Sequence, residues 1–155
     1  VASNVPNAAL VVTIDVGDET DIHPTRKEPV GARLAIAARK LAYGEEIEHS
    51  GPIFKSQSID GDKVRLTFAH TGGGLVAKDG ELVGFTVAGE DQKFHPAIAK
   101  IAGDAIVVHS DAVKKPVAVR YAWLPFPEGN LWNGAGLPAS PFRTDSFKLT
   151  TQDQK

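Results

Sequence analysis

The chain has 155 residues, of which 42% are hydrophobic and 23% charged, a composition typical of one globular domain or a small element fused to one. Its 17 basic and 19 acidic residues give a net charge of -2, so no excess of positive charge favours a nucleic acid or an anionic membrane as partner. The absence of Cys excludes a disulfide framework and a thiolate metal site, and no apolar run approaches the roughly 18 residues of a membrane span.

The first 44 residues predict a strand, a loop and a helix. Residues 8–16 form a nearly continuous apolar run rich in β-branched side chains, which is typical of a strand buried on both faces in a parallel sheet. An acidic loop follows over residues 17–24. Residues 25–44 then have helical spacing. This α/β unit is too small to fold alone and needs a sheet to lie on.

The predicted helix has signals at both ends. Thr25 and Glu28 have capping-box spacing, although Pro29 could instead be the first helical residue after a cap at Glu28. Gly44 is a natural C-terminal stop. The apolar positions of the helix are Val30, Leu34, Ala37, Ala38 and Leu41.

From residue 45 onward the period changes to short alternating runs separated by turn residues. Asp60-Gly61-Asp62 and Gly103-Asp104 are hairpin signals. The predicted strands are 53–59, 63–69, 75–77, 82–88, 97–102, 105–109 and 117–124. Residues 125–141 are interpreted as an ordered loop, because their apolar side chains would be costly to leave exposed. Residues 45–149 therefore predict an all-β, jelly-roll-like sandwich, and residues 150–155 a disordered tail.

A group of acidic residues and one histidine follows the first predicted strand. Asp18, Glu19, Asp21 and His23 would lie beyond the carboxyl end of that strand, where α/β folds bind ligands. A histidine there can act as general base toward a serine hydroxyl, with a carboxylate that orients the ring. A solvated acidic loop with one surface histidine is the alternative interpretation.

Metal binding is a second use of the same group. Asp15, Asp18, Asp21 and His23 offer oxygen and nitrogen ligands, but their spacing fits neither the calcium loop of an EF-hand nor a helical zinc-protease motif. We therefore predict no metal. The remaining histidines are dispersed and form no recognisable pair in the sequence; they are His49, His70, His95 and His109.

The aromatic residues of the second half allow two interpretations. Tyr121, Trp123, Phe126 and Trp132 could stack on a sugar ring, or they could fill the core or an interdomain contact, which we favour. Alternation places Arg120 on an otherwise small apolar face, where it needs an anionic partner such as Asp145 or an acidic substrate.

Short motifs run in order through most of the chain. The first are Thr13-Ile14-Asp15-Val16-Gly17-Asp18, Asp21-Ile22-His23-Pro24 and Tyr43-Gly44. Later ones are Ser50-Gly51-Pro52, Val119-Arg120-Tyr121-Ala122-Trp123, Gly136-Leu137-Pro138-Ala139 and Pro141-Phe142-Arg143-Thr144-Asp145. In combination they resemble the sialate O-acetylesterase family of SGNH-type hydrolases.

The resemblance implies a serine esterase that removes acetyl groups from sialic acids or plant-polysaccharide sugars, with no cofactor. His23 matches the family's catalytic histidine. The acid usually stands three residues earlier, where this chain has Thr20, so Asp21 is favoured and Asp18 is second. A backbone carbonyl that orients the ring is a further possibility.

The family's serine segment and oxyanion-hole blocks are not identifiable in this sequence. We therefore expect the C-terminal portion of such an enzyme. Residues 1–44 would be the last strand, catalytic loop and helix of its flavodoxin-like SGNH domain, and residues 45–149 an accessory sandwich. Its partners would be the remainder of that domain and the acetylated carbohydrate, in a secreted or periplasmic protein. The alternative is a non-catalytic carbohydrate-binding or structural module.

Overall fold

The computed structural model describes residues 5–149, so the predicted tail lies outside the described residues. In this part of the chain there are one helix and ten strands. They are α1 (Glu28–Tyr43), β1 (Ile53–Asp60), β2 (Lys63–Ala69), β3 (Leu75–Ala77), β4 (Phe85–Ala88), β5 (Phe94–Pro96), β6 (Ile98–Ala102), β7 (Ala105–His109), β8 (Ala118–Tyr121), β9 (Leu131–Asn133) and β10 (Phe142–Arg143). Within residues 5–149, no helix has the length and hydropathy needed to cross a membrane.

The strands form two four-stranded antiparallel sheets and a small third one. The orders are β1-β2-β7-β6, β10-β8-β4-β5 and β3-β9. The two large sheets share one core, in which Phe142 of one sheet stacks on Phe54 of the other, with ring centroids 4.9 Å apart, and meets Phe68 edge-on at 5.7 Å. The predicted β-sandwich is confirmed at this level, while its jelly-roll character stays a prediction.

Two hairpins form where turn residues separate alternating runs. Asp60 pairs with Lys63 across the turn of Gly61, whose φ of 61° suits a residue without a Cβ. Within β2, Val64 and Leu66 are buried and Arg65 between them is exposed, as the alternation predicts. The turn at 103–104 joins β6 to β7 in the same way.

The region of the predicted turn at 78–81 is organised differently. β3 does not pair with the next strand; it pairs with β9, which lies inside the segment predicted as a loop. The strand predicted to start at Leu82 starts at Phe85, because Gly84 adopts a φ of 86° and lies against the backbone of Glu128. Three-residue strands such as β9 are too short to show a period of two, so the sequence pattern misses them.

The helix is confirmed, with a corrected start. α1 begins at Glu28 with Pro29 in its first turn, and no side chain caps it, so neither Thr25 nor Glu28 is a cap. Proline lacks the N–H group that a cap would satisfy. Gly44 ends the helix in the left-handed conformation, at φ 70°.

The strand predicted over residues 8–16 is wrong for this structure. Residues 8–13 have no regular secondary structure and residues 14–16 lie in a turn and bend. A strand of this kind is held by hydrogen bonds to neighbours on both sides, and no strand of the described chain lies beside it. The predicted apolar face of α1 is only partly packed: Ala37 is buried, whereas Leu34 and Leu41 are exposed.

Candidate functional site

The loop after residue 16 is organised around the carboxylate of Asp18. Its Oδ1 accepts hydrogen bonds from the backbone N–H of Thr20 at 2.8 Å, the Thr20 hydroxyl at 2.9 Å and the N–H of Asp21 at 3.1 Å. The bonds from Thr20 and then from Asp21 lower the pKa of Asp18. Asp18 is therefore an ionised group that shapes the backbone of this loop.

Asp21 and His23 lie in the following turn. One carboxylate oxygen of Asp21 accepts the backbone N–H of His23 at 2.8 Å, and both residues are exposed. In the described residues no hydrogen bond joins the imidazole of His23 to a carboxylate. The structure thus brings the three predicted site residues into one short loop, and their catalytic roles stay predictions.

An ion pair fixes the start of this loop to the helix. The guanidinium of Arg33 donates to both carboxylate oxygens of Asp15 at 2.7 Å and also to the carbonyl of Val12 at 2.7 Å. Although burial raises the pKa of Asp15, the hydrogen bonds and charge of Arg33 outweigh burial and lower it. The sequence offers Asp15 only as a possible metal ligand, so the helix–loop link was not predicted.

The sandwich contributes a cleft beside the same loop. The cleft has a volume of about 550 Å³ and is lined by Glu19 of the loop and by Phe94, Arg120, Trp123, Phe126 and Glu128 of the sandwich. The ring of Phe126 lies 3.8 Å from where a Cβ on Gly17 would be, so the loop and the cleft are in direct contact.

The predicted pairing of Arg120 with Asp145 is confirmed. Arg120 donates from Nε and Nη2 to the two carboxylate oxygens at 2.9 and 3.0 Å, and its guanidinium stacks 3.9 Å from the ring centroid of Phe94. The Asp145 side chain is only 1% exposed. Burial raises the pKa of Asp145, but the hydrogen bonds and charge of Arg120 lower it overall.

The aromatic residues divide between the core and the surface. Tyr121 is fully buried and its hydroxyl oxygen accepts the N–H of Leu131 at 2.9 Å; burial raises its pKa to about 12. Trp123 and Phe126 are 41% and 42% exposed. Tyr121 therefore lies in the core, as favoured. Trp123 and Phe126 lie outside the core of residues 5–149, and an interdomain contact stays a prediction for them.

A second polar cluster joins residues that are far apart in the sequence. His70 Nδ1 lies 2.9 Å from a carboxylate oxygen of Glu48, and the rings of His49 and His70 meet edge-on with centroids 5.4 Å apart. The expectation that the histidines form no pair is wrong here, since strand pairing brings them together. The ligand atoms of Glu48, His49 and His70 lie within 4.8 Å of one another, close enough to converge on one cation. The hydrogen bond between Glu48 and His70 already uses one ligand atom of each of these two residues.

The chain is similar to known proteins in both sequence and structure. No family model matches the chain. Its structure is similar to part of a carbohydrate acetylesterase from Xanthomonas citri, with 54% sequence identity, a TM-score of 0.85 and coverage of 88% of this chain and 32% of that one.

The sequence is also similar to a sialate O-acetylesterase from Pongo abelii, with 28% identity over an alignment of 151 residues that covers 88% of this chain and 29% of that protein. The predicted resemblance to the sialate O-acetylesterase family is thereby confirmed. The chain spans about a third of the length of each of these two relatives.

Proposed function

We propose that this chain is part of a carbohydrate O-acetylesterase and supplies the catalytic histidine, His23. The observation that carries the proposal is the 54% identity to a carbohydrate acetylesterase across 88% of the chain. The loop of residues 17–24, anchored to α1 through Asp15 and Arg33, supports it, because a general base must be held in a defined position.

The proposed reaction follows the chemistry of serine esterases. The nucleophile is a serine from the remainder of the SGNH domain. It attacks the acetyl carbonyl, and His23 accepts its proton. His23 then returns the proton to the sugar oxygen as it leaves, and finally activates the water that releases acetate. Asp21 is the favoured orienting acid and Asp18 the second, although Asp18 already accepts three local hydrogen bonds.

The remainder of an SGNH domain is the proposed partner of the N-terminal part. Residues 8–16 have the composition of a buried strand, but no strand within residues 5–149 lies beside them, and α1 exposes Leu34, Leu41 and Tyr43. Pairing of residues 8–16 with a parallel sheet would satisfy their backbone groups, and the same sheet would cover the apolar side of α1. The expected location of the whole enzyme is secreted or periplasmic.

The test uses a polypeptide that contains this chain together with the serine-bearing SGNH segment. His23→Ala should abolish acetate release from acetylated sugars, while the matched control His109→Ala, in β7 of the sandwich, should leave it unchanged. Acetate release that survives in His23→Ala rejects the assignment. Separate Asp21→Asn and Asp18→Asn variants then identify the orienting acid by the larger fall in kcat.

A non-catalytic carbohydrate-binding role is the second candidate. The exposed Trp123 and Phe126 favour it over a purely structural role, because large aromatic side chains left at a cleft commonly mark a binding site. This candidate is compatible with the first, since one protein can both bind the sugar and supply the histidine.

A further inference from the structure

We propose that the cleft between the sandwich and the His23 loop is a subsite for one neutral pyranose ring of the acetylated carbohydrate. The choice of a sugar rests on the proposed function; the site itself is argued from the residues that line it. The cleft volume of about 550 Å³ falls in the range of small-ligand sites, roughly 300–1,000 Å³.

The position of the cleft connects it to the chemistry. One wall is Glu19, which lies in the loop between Asp18 and Asp21, and the other walls come from β4, β5, β8 and the segment after β8. Phe126 lies near Gly17 at the start of the same loop, 3.8 Å from where a Cβ on that glycine would be. A sugar bound there would contact Glu19, in the loop that carries His23.

The backbone directs an aromatic ring into this space. Ala122 follows β8 with a φ of 50°, a conformation that non-glycine residues rarely adopt, and its N–H donates to the carbonyl of Gly84 at 2.9 Å. This break ends the alternation that buries Val119 and Tyr121, so Trp123 leaves the core and lines the cleft. The indole offers an apolar face for the C–H groups of a pyranose ring and one N–H donor.

The polar groups of the cleft suit hydroxyl groups better than a carboxylate. Glu19 and Glu128 line it and accept hydrogen bonds from sugar hydroxyls. The guanidinium of Arg120 is already bound by Asp145, and Arg143 lies 3.8 Å from the same carboxylate. The guanidinium of Arg143 lies 5.9 Å from the ring centroid of Trp123, outside the residues that line the cleft. The lining therefore carries two carboxylates and one guanidinium that Asp145 neutralises, and this charge disfavours an acidic sugar relative to a neutral one.

The experiment measures sugar binding to this chain alone. In a Trp132→Phe background Trp123 is the one remaining tryptophan, so its fluorescence reports the cleft. Trp132 lies away from the cleft, with the Lys78 ammonium 4.0 Å from its ring centroid. We expect an O-acetylated cello-oligosaccharide to change the Trp123 emission and 9-O-acetyl-N-acetylneuraminic acid to bind at least about tenfold more weakly, which corresponds to about 1.4 kcal/mol.

Two variants test the assignment by calorimetry. Trp123→Ala, an exposed position, should weaken binding of the neutral sugar at least about tenfold, whereas Trp132→Phe should not. Glu19→Gln combined with Glu128→Gln should reduce the difference in affinity between the neutral and the acidic sugar. Absence of neutral-sugar binding, unchanged affinity in Trp123→Ala, or equal binding of both sugars overturns the proposal.

These outcomes are independent of the esterase test. Binding by this chain needs no serine nucleophile, so a sugar that binds in the cleft supports the subsite even if His23→Ala leaves acetate release intact. Conversely, loss of acetate release in His23→Ala with no sugar binding in the cleft retains the proposed function and rejects the subsite.

Discussion

Arg33 and Asp15 are joined by two parallel hydrogen bonds of 2.7 Å, and this pair connects the helix to the loop of the candidate active site. Both side chains are largely buried. Apart from Arg33, the one buried residue of the helix is the small Ala37. The position of α1 therefore depends on one ion pair more than on apolar packing.

Replacement of Arg33 by Met should release the helix. Loss of one partner from a buried ion pair costs about 3–5 kcal/mol, because the other charge stays behind without compensation. We expect faster amide hydrogen exchange across α1 and little change in the strands. Arg39→Met is the control, since the Arg39–Glu45 pair is exposed and such pairs contribute at most about 1 kcal/mol. Equal protection of α1 in both variants would contradict the anchoring role.

The pair of Arg120 and Asp145 predicts acid sensitivity of the sandwich. The folded-state pKa of Asp145 is lowered, so the pair stabilises the fold fully above the ordinary carboxyl pKa of about 3.9 and loses this contribution as the pH falls through the folded value. Asp145→Asn should therefore lower Tm strongly at pH 7. Its difference from the unmodified chain should shrink below about pH 4, as followed by thermal denaturation at stepped pH.

A constant difference in Tm across that pH range would show that Asp145 acts through packing alone. Asp104→Asn is the matched control: its pair with Arg65 is exposed on the outer face of the other sheet, so the variant should have a Tm close to that of the unmodified chain at every pH.

The buried amide of Asn133 connects three segments. Its Nδ2 donates to the carbonyls of Ser50 and His70, both at 2.9 Å, and its Oδ1 accepts the N–H of Leu137 at 2.9 Å. Asn133→Ala leaves these groups without their partner, and each buried unsatisfied group costs about 1–3 kcal/mol. Urea unfolding should show a lower midpoint with an unchanged m-value. A midpoint within error of the unmodified chain would show that Asn133 does not hold these three segments together.

Two glycines should respond oppositely to alanine. A Cβ on Gly51 would collide with the backbone carbonyl of Pro138, so Gly51→Ala should prevent native packing of these segments. Gly31 lies inside α1 with open space around its Cα, and Gly31→Ala should stabilise the helix by about 1 kcal/mol. Thermal denaturation should show a lower Tm for Gly51→Ala and a higher Tm for Gly31→Ala. A tolerated Gly51→Ala would show that residues 51 and 138 are not in close contact.

The sequence predicts those features that depend on neighbouring residues. The Gly61 hairpin, the Gly44 helix end and the sandwich follow from local turn chemistry and alternation, and the Arg120–Asp145 pair follows from a charge on an apolar face. The strand over residues 8–16 fails because its pattern describes a sheet that the described chain does not contain.

The candidate site is predicted in part for the same reason. His23, Asp21 and Asp18 share one loop because they are close in the sequence, and the catalytic roles that the family resemblance implies for them stay predictions. By contrast, the cleft combines Glu19 with Trp123 and Glu128, and each of these two lies over a hundred positions from Glu19. The contact between His49 and His70 depends on the register of β1 and β2. Single-sequence patterns carry no information on such distant contacts.

The contacts of Asn133 also determine the order in which parts of the fold can form during biosynthesis. Ser50 and Asn133 are 83 positions apart, and Gly51 packs on Pro138. The segment that enters β1 therefore cannot reach its final position until residues 133–138 have left the ribosome. Until then α1 and the His23 loop precede an incomplete sandwich, so Ser50 and Gly51 make these contacts only after β9 has been synthesised.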